Sequence, residues 1–229
     1  DQERFKALVQ KDIDPTVALQ LSLALYAVAM PVGIAIGARA GWGVVATGAA
    51  CMVFAWFYSG GPRPISSTPV GEFFAGGLLG GVLVAVAAFV HTQRLDAATV
   101  LVGLPSSLII AGILSTNNAC DIAGDARAGR RTLAIVLGAE RAHLPIFWLV
   151  GGAYGAVALL AALRVLPPWA FLPMAASAAH AWKALGAMKA RGWSHATKGP
   201  NMGAISLVFL GFTACLLASF ALAARRAAR

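Results

Sequence analysis

Long apolar runs separated by short polar breaks set the organisation of this chain. Residues 16–38, 42–58, 73–90, 97–115, 144–163, 169–188 and 202–223 are rich in Ala, Leu, Val and Gly. Each approaches the length of about 20 residues that an α-helix needs to cross the hydrocarbon core of a bilayer. The runs are continuously apolar, without the alternation of a barrel strand, so they predict helices. The expected fold is therefore all-α, a bundle of seven transmembrane spans. Pro15 suits the start of the first span, and Pro31 predicts a kink within it. Pro167 and Pro168 open the sixth, while the glycines of the third predict close helix packing in lipid.

Composition agrees with this pattern. Hydrophobic residues make up 59% and charged residues 12%, with a mean hydropathy of +0.76. Soluble domains carry about 25% charged residues. No polar segment is long enough to fold separately, so residues 1–229 are expected to form a single membrane domain. The polar residues 1–14 read as an interfacial helix end or a loop, and no signal peptide is visible there.

The net charge of +9 does not indicate nucleic acid, because the basic residues sit in the short loops. With seven spans, one side holds Arg4, Lys6, Lys11, Arg63, Arg127, Arg130, Arg131, Arg141, Lys183, Lys189, Arg191 and Lys198. The other holds Arg39, Arg94, Arg164 and the tail arginines Arg225, Arg226 and Arg229. The positive-inside rule then puts the N-terminus, the loop after the second span and the stretch after the fourth in the cytoplasm. A bacterial cytoplasmic membrane is the expected setting. Cys51, Cys120 and Cys215 are odd in number and unpatterned, which supports neither a disulfide framework nor a zinc site.

Candidate chemistry gathers in STNNACDIAGDARAGRRTLAIVLG, residues 115–138. Asn117, Asp121 and Asp125 recur every four residues and would stack along one helix face. Two stacked carboxylates repel unless a cation lies between them. Magnesium suits such a pair, since it is commonly bound by one or two carboxylates together with substrate phosphates. Arg130 and Arg131, one turn later, are candidates for the remaining phosphate oxygens. Read plainly, a lone D-x-x-x-D is more often a solvated loop; Asn117 and Asn118 before it and G-R-R-T after it favour a site.

A second polar segment, YSGGPRPISSTPVGE, follows the second span. Its glycines allow backbone N–H groups to approach a polar substrate, with Tyr58 and Arg63 as contacts. Tyr58 as an interfacial aromatic and Arg63 as a topology charge explain the same residues equally well. Glu72 either caps the third helix or faces the site. His91, His143 and His195 read as solvated, and a ligand role for His180 is not favoured.

Read as NNxxDxxxDxxxGxRTLAxxLG, the acidic stretch resembles the second aspartate-rich motif of the UbiA superfamily of intramembrane prenyltransferases. YSGGPRPISSTPVGE resembles a loop of its MenA-type branch, which prenylates 1,4-dihydroxy-2-naphthoate in menaquinone biosynthesis. The resemblance implies a helical bundle around a lipid-open cavity. It also implies magnesium-dependent transfer of a polyprenyl group from its diphosphate to an aromatic acceptor. By motif match, Asp121 and Asp125 would hold magnesium on the diphosphate with Asn117 beside them. Asn118, Arg130, Arg131, Tyr58 and Arg63 would bind diphosphate or acceptor, Arg131 being the expected counter-charge.

The family has nine spans and an earlier N-D-x-x-D motif that this chain lacks. The expectation is that the chain starts just after that motif and, holding part of the metal site, is inactive alone. Cys120 stands where this branch often has arginine, which leaves the acceptor open. Alternatives are a superfamily member acting on hydroxybenzoate, homogentisate, a haem or a glycerol phosphate, or a non-enzymatic transporter or scaffold. A CDP-alcohol phosphotransferase would need a denser D-x-x-D-G pattern.

Overall fold

The computed structural model describes residues 14–227, where every regular element is a helix and there is no strand. The predicted interfacial segment falls outside the described residues except for Asp14, and Arg4, Lys6, Lys11 and Arg229 lie outside them too. The helices are α1 (Pro15–Ala40), α2 (Trp42–Ser59), α3 (Gly71–Thr92), α4 (Ala97–Cys120), α5 (Ile122–Arg127), α6 (Leu133–Leu137), α7 (Leu144–Ala162), α8 (Phe171–Arg191) and α9 (His195–Ala227). Short 3₁₀ turns occupy Ile65–Ser67 and Pro168–Ala170.

Among the described residues, six of these helices are long and apolar enough to span a membrane: α1, α2, α3, α4, α7 and α9. The sixth predicted span, residues 169–188, does form a helix, α8, but it is less apolar than those six. Its buried positions recur along one stripe, with Leu172 and Trp182 as exposed apolar residues outside it. Met174, Ala181, Leu185 and Met188 are buried, while His180 and Lys183 lie on exposed positions between them. α8 is thus more amphipathic than the other long helices, and it returns the chain from the end of α7 to Lys198 beside Asp121.

Two compact units make up the chain, Asp1–Trp56 and Phe57–Arg229. In the first, Asp14 caps α1 by accepting from the Thr16 N–H at 2.8 Å, and the helix runs on through Pro31. Gly41, at φ +109°, makes the turn to α2, a conformation that disfavours a side chain. Tyr26 donates its hydroxyl to the Met52 carbonyl at 3.1 Å, tying the hairpin together. Large apolar side chains such as Leu21, Leu25, Val28, Phe54 and Trp56 remain exposed, as expected of helices that lipid covers.

In the second unit, α3 and α4 approach almost backbone to backbone. A Cβ on Gly76 would stand 2.3 Å from the Ser107 carbonyl oxygen, and one on Gly80 would stand 2.3 Å from the Ser107 nitrogen. Gly103 faces the Cα of Gly81 in the same way. Small residues one turn apart on both helices permit this contact. The α3 helix widens to a π segment over Gly77–Val82, at the crossing itself. Against the other face of α4 lies the core, where Ile146, Val150, Ala153 and Val157 of α7 meet Ile205, Val208 and Phe212 of α9. The Tyr154 ring packs edge-on against Phe212 at 5.1 Å, and its hydroxyl shares a 2.8 Å hydrogen bond with Ser177 of α8.

This crossing sets the height at which α3 meets the end of α4. Gly80→Val should therefore lower the thermal unfolding temperature of the chain in lipid nanodiscs, overpacking a tight site costing about 1–3 kcal/mol. Gly155→Ala, where a Cβ meets nothing within 4 Å, should leave it within error.

Candidate active site

The fourth span outruns its expected end at residue 115 and carries Asn117 and Asn118 on its last turn. It stops at Cys120. Asp121, at φ −106° and ψ 8°, leaves helical geometry and links α4 to the short α5. Asn117, Asp121 and Asp125 are therefore not stacked on one helix, as their spacing predicted. They follow one another across a helix–helix corner. The Asp125 N–H still donates to the Asp121 carbonyl at 2.9 Å, so the two carboxylates stay neighbours. Asn117 is half-buried.

Asp121 is buried, with 8% of its surface exposed, and both its oxygens are engaged. Lys198 donates its ammonium to Oδ2, and Nδ1 of His195 lies 3.4 Å from Oδ1. Both partners come from the first turn of α9. That turn is fixed by Asn201, which donates to the Gly192 carbonyl at 2.9 Å and approaches the Cys120 sulfur at 3.8 Å. Arg191 Nε donates to the Asn201 Oδ1 at 3.0 Å. One buried amide thereby aligns the end of α8, the start of α9 and the end of α4.

Asp125 is equally buried and pairs with Arg130, whose Nη1 donates to Oδ1 at 2.9 Å. Burial pushes the Asp125 carboxyl above its ordinary range, the Arg130 guanidinium opposes that shift, and the Asp121 charge adds to it. Oδ2 of Asp125 has no partner. The same guanidinium donates to the Ser66 carbonyl at 2.9 Å and to the Ser67 hydroxyl at 3.2 Å. Next to it, the Arg131 N–H donates to the Ser67 carbonyl at 2.8 Å. The loop after α2 and the acidic corner are thus joined at one end of the bundle.

A third group lies alongside. Glu72, in the first turn of α3, is buried and accepts a 2.9 Å hydrogen bond from the Asn118 amide. The N-cap residue of α3 is Val70, and the Glu72 carboxylate faces inward onto Asn118. Oε2 of Glu72, Oδ1 of Asn118 and the Ser115 hydroxyl are buried without partners. Three such atoms adjoin one another here, an arrangement suited to a polar ligand. Half-buried Tyr58 has Glu72 and Arg130 as its charged neighbours.

The structure therefore gathers Asp121, Asp125, Arg130, Asn118 and Tyr58. Arg63 is exposed on its loop, and Arg131 enters through its main chain while its side chain stays exposed. Arg130 rather than Arg131 meets an acidic-corner carboxylate. Lys198 and His195 were missed as site residues. One was counted as a topology charge and the other read as solvated, yet both are basic groups in the first turn of a helix, where the dipole disfavours them.

Among the described residues no group of three or more His, Cys, Asp and Glu side chains could hold a metal ion. The donor set nonetheless fits a divalent cation that arrives on a phosphate. Asp125 Oδ2 is an open carboxylate oxygen, and such ions accept one or two carboxylates with phosphate and water completing the shell.

Comparison with known proteins follows the same lines. The chain is 34% identical over 166 residues to a 1,4-dihydroxy-2-naphthoate octaprenyltransferase of Bacillus subtilis (strain 168), covering 72% of this chain and 53% of that relative. It is 29% identical over 161 residues to the protein of the same name from Mycobacterium tuberculosis (strain ATCC 25618 / H37Rv), covering 70% and 53%. A third relative so named, from Haemophilus influenzae (strain ATCC 51907 / DSM 11121 / KW20 / Rd), is 34% identical over 112 residues, 47% of this chain and 33% of that one. The chain thus spans about half the length of the first two curated relatives it matches. No solved structure matches it significantly. The UbiA prenyltransferase family model matches residues 1–198, which include both polar segments and their meeting point at Arg130, and the chain belongs to that family.

Proposed function

We propose that this chain carries the catalytic region of a prenyltransferase that moves a polyprenyl group from its diphosphate to an aromatic acceptor. The proposed acceptor is 1,4-dihydroxy-2-naphthoate, the substrate named for all three relatives, in menaquinone biosynthesis. The observation that carries the reading is the acidic corner, where buried Asp121 and Asp125 each face a cation and Asp125 keeps one oxygen open. Family membership adds the reaction class.

In this reading, Asp121 and Asp125, with Asn117 beside them, hold magnesium on the diphosphate. Bound there, the ion supplies neutralising charge to the departing diphosphate. Arg130 stands next to the open oxygen of Asp125, positioned to meet diphosphate oxygens through its guanidinium. The Arg131 and Arg63 side chains are further cations for that anion. Departure of diphosphate leaves positive charge on the allylic carbon, which persists only where water is excluded. The apolar surfaces of the spanning helices give the prenyl chain such an environment, with membrane lipid around them. We assign the site to the cytoplasmic face, where the clustered basic residues favour it.

The acceptor side is Glu72, Asn118 and Tyr58. The unpartnered Glu72 and Asn118 oxygens are acceptors for a phenolic hydroxyl. Arg130 then has a second task, because it fastens the 65–67 turn beside Tyr58 to the acidic corner.

Two outcomes are expected. In membranes carrying the product of the whole coding sequence, Asp121→Asn and Asp125→Asn should each cut transfer of labelled prenyl groups to dihydroxynaphthoate about 100-fold or more, the scale of losing a transition-state electrostatic partner. Activity within twofold of the parent would sink the proposed reaction centre. Arg130→Ala should speed amide hydrogen exchange at Ser67 and Thr68 about tenfold, since charge-assisted bonds of about 1.5–3 kcal/mol hold that turn. Unchanged exchange would show that the loop is held otherwise.

A further inference from the structure

The Asp121–Lys198 pair joins a carboxylate at the C-terminal end of α4 to an ammonium at the N-terminal end of α9. Asp121 follows the last residue of α4, where the unpaired carbonyls of a helix end repel a carboxylate. Lys198 lies in the fourth position of α9, where the positive end of the helix dipole repels an ammonium. Asp121 is also the residue before α5, whose start suits a carboxylate, so the cost falls on the α4 end and on Lys198, and burial of Asp121 adds a desolvation cost. The Asn201 network nevertheless brings them together.

The two carboxylates of the corner are also unequal. Asp125 keeps Oδ2 open, whereas Asp121 has Oδ2 on Lys198 and Oδ1 near His195. A metal ion that arrives alone finds the Asp121 position already held by a cation. The Lys198 side chain is 24% exposed, and its long stem leaves room to turn towards a neighbouring anion.

We infer that Lys198 is a resident cation: it holds the Asp121 carboxylate in the empty site and passes to the diphosphate when a metal takes that carboxylate. This rests on the prenyl-diphosphate reading above. Loading is then coupled. Metal without diphosphate must displace Lys198 into solvent, while metal with diphosphate offers the ammonium a new partner. His195 supports the carboxylate from its other oxygen and keeps its orientation through the exchange.

The test is binding of Mn²⁺, an oxygen-preferring probe for magnesium, to the chain in nanodiscs, read by electron paramagnetic resonance with and without inorganic pyrophosphate. Lys198→Met should bind Mn²⁺ alone about fivefold more tightly than the parent, the scale of one partly buried ion pair. The same variant should bind Mn²⁺ with pyrophosphate about tenfold more weakly. Lys198→Arg, which keeps the charge, should follow the parent in both. Unchanged or weaker binding of Mn²⁺ alone by Lys198→Met, with pyrophosphate binding by the parent intact, overturns the resident-cation role while sparing the prenyl-diphosphate reading. Failure of the parent to bind Mn²⁺ with pyrophosphate overturns both. A folding defect in Lys198→Met would show as loss of helical circular dichroism. In that case the comparison passes to Lys198→Gln, held to the same two outcomes.

Discussion

A buried carboxylate at the end of a helix is the constraint around which the polar end of this bundle is arranged. Asp121 terminates α4, is almost wholly out of solvent, and has to be neutralised. The neutralising groups come from α9, far along the chain, so α9 must start beside the end of α4. Asn201 enforces that start by bridging Gly192, Arg191 and Cys120. The close crossing of α3 and α4 at Gly76, Gly80 and Ser107 fixes the other side, setting Glu72 against Asn118. Apolar packing sets the frame, and the ion pairs then decide how the loops close over it.

The loop after α2 is held by the same logic. Arg130 binds Asp125 with one nitrogen and the 65–67 turn with two others, so a single planar guanidinium joins two segments over sixty residues apart. A lysine at this position has no such fork and would serve only one of these partners well. Removal of the guanidinium from Asp125 would strand a buried charge. The turn and the acidic corner are consequently fastened to each other through Arg130.

How much of this was legible follows from range. The spanning helices were readable because continuous apolar runs of the right length have few other folds, and their observed ends fall within a few residues for most. The sixth run differs in degree, because His180, Lys183 and Lys189 make α8 less apolar than the other long helices, while it still returns the chain to the acidic corner. Asp121 and Asp125 stood out because carboxylates are conspicuous in an apolar chain. Their corner was hidden, since i, i+4 spacing describes a continuous helix equally well. Lys198 and His195 lie 77 and 74 residues from Asp121, and local pattern carries no information about a pairing at that distance. Their one trace was a misfit: cations at the start of a helix.

That misfit has a general basis. A group that weakens its own helix is retained either because another segment compensates it or because a ligand does, and here both readings meet at one atom pair. Asp121 is compensated by Lys198 in the free chain, yet the neighbouring Asp125 keeps an unpartnered oxygen and the Glu72–Asn118 pair keeps two more. If the charges served stability alone, the cheaper solution would be apolar side chains of similar volume, since buried ion pairs commonly add little over them. A half-satisfied polar cluster is a poor structural element, but it is suited to a ligand that brings both the missing positive charge and the missing donors. In the proposed function, a metal-bearing diphosphate and a phenolic acceptor would supply one of each. The incompleteness of the hydrogen bonding, more than any single residue, therefore argues that this end of the bundle is a binding site.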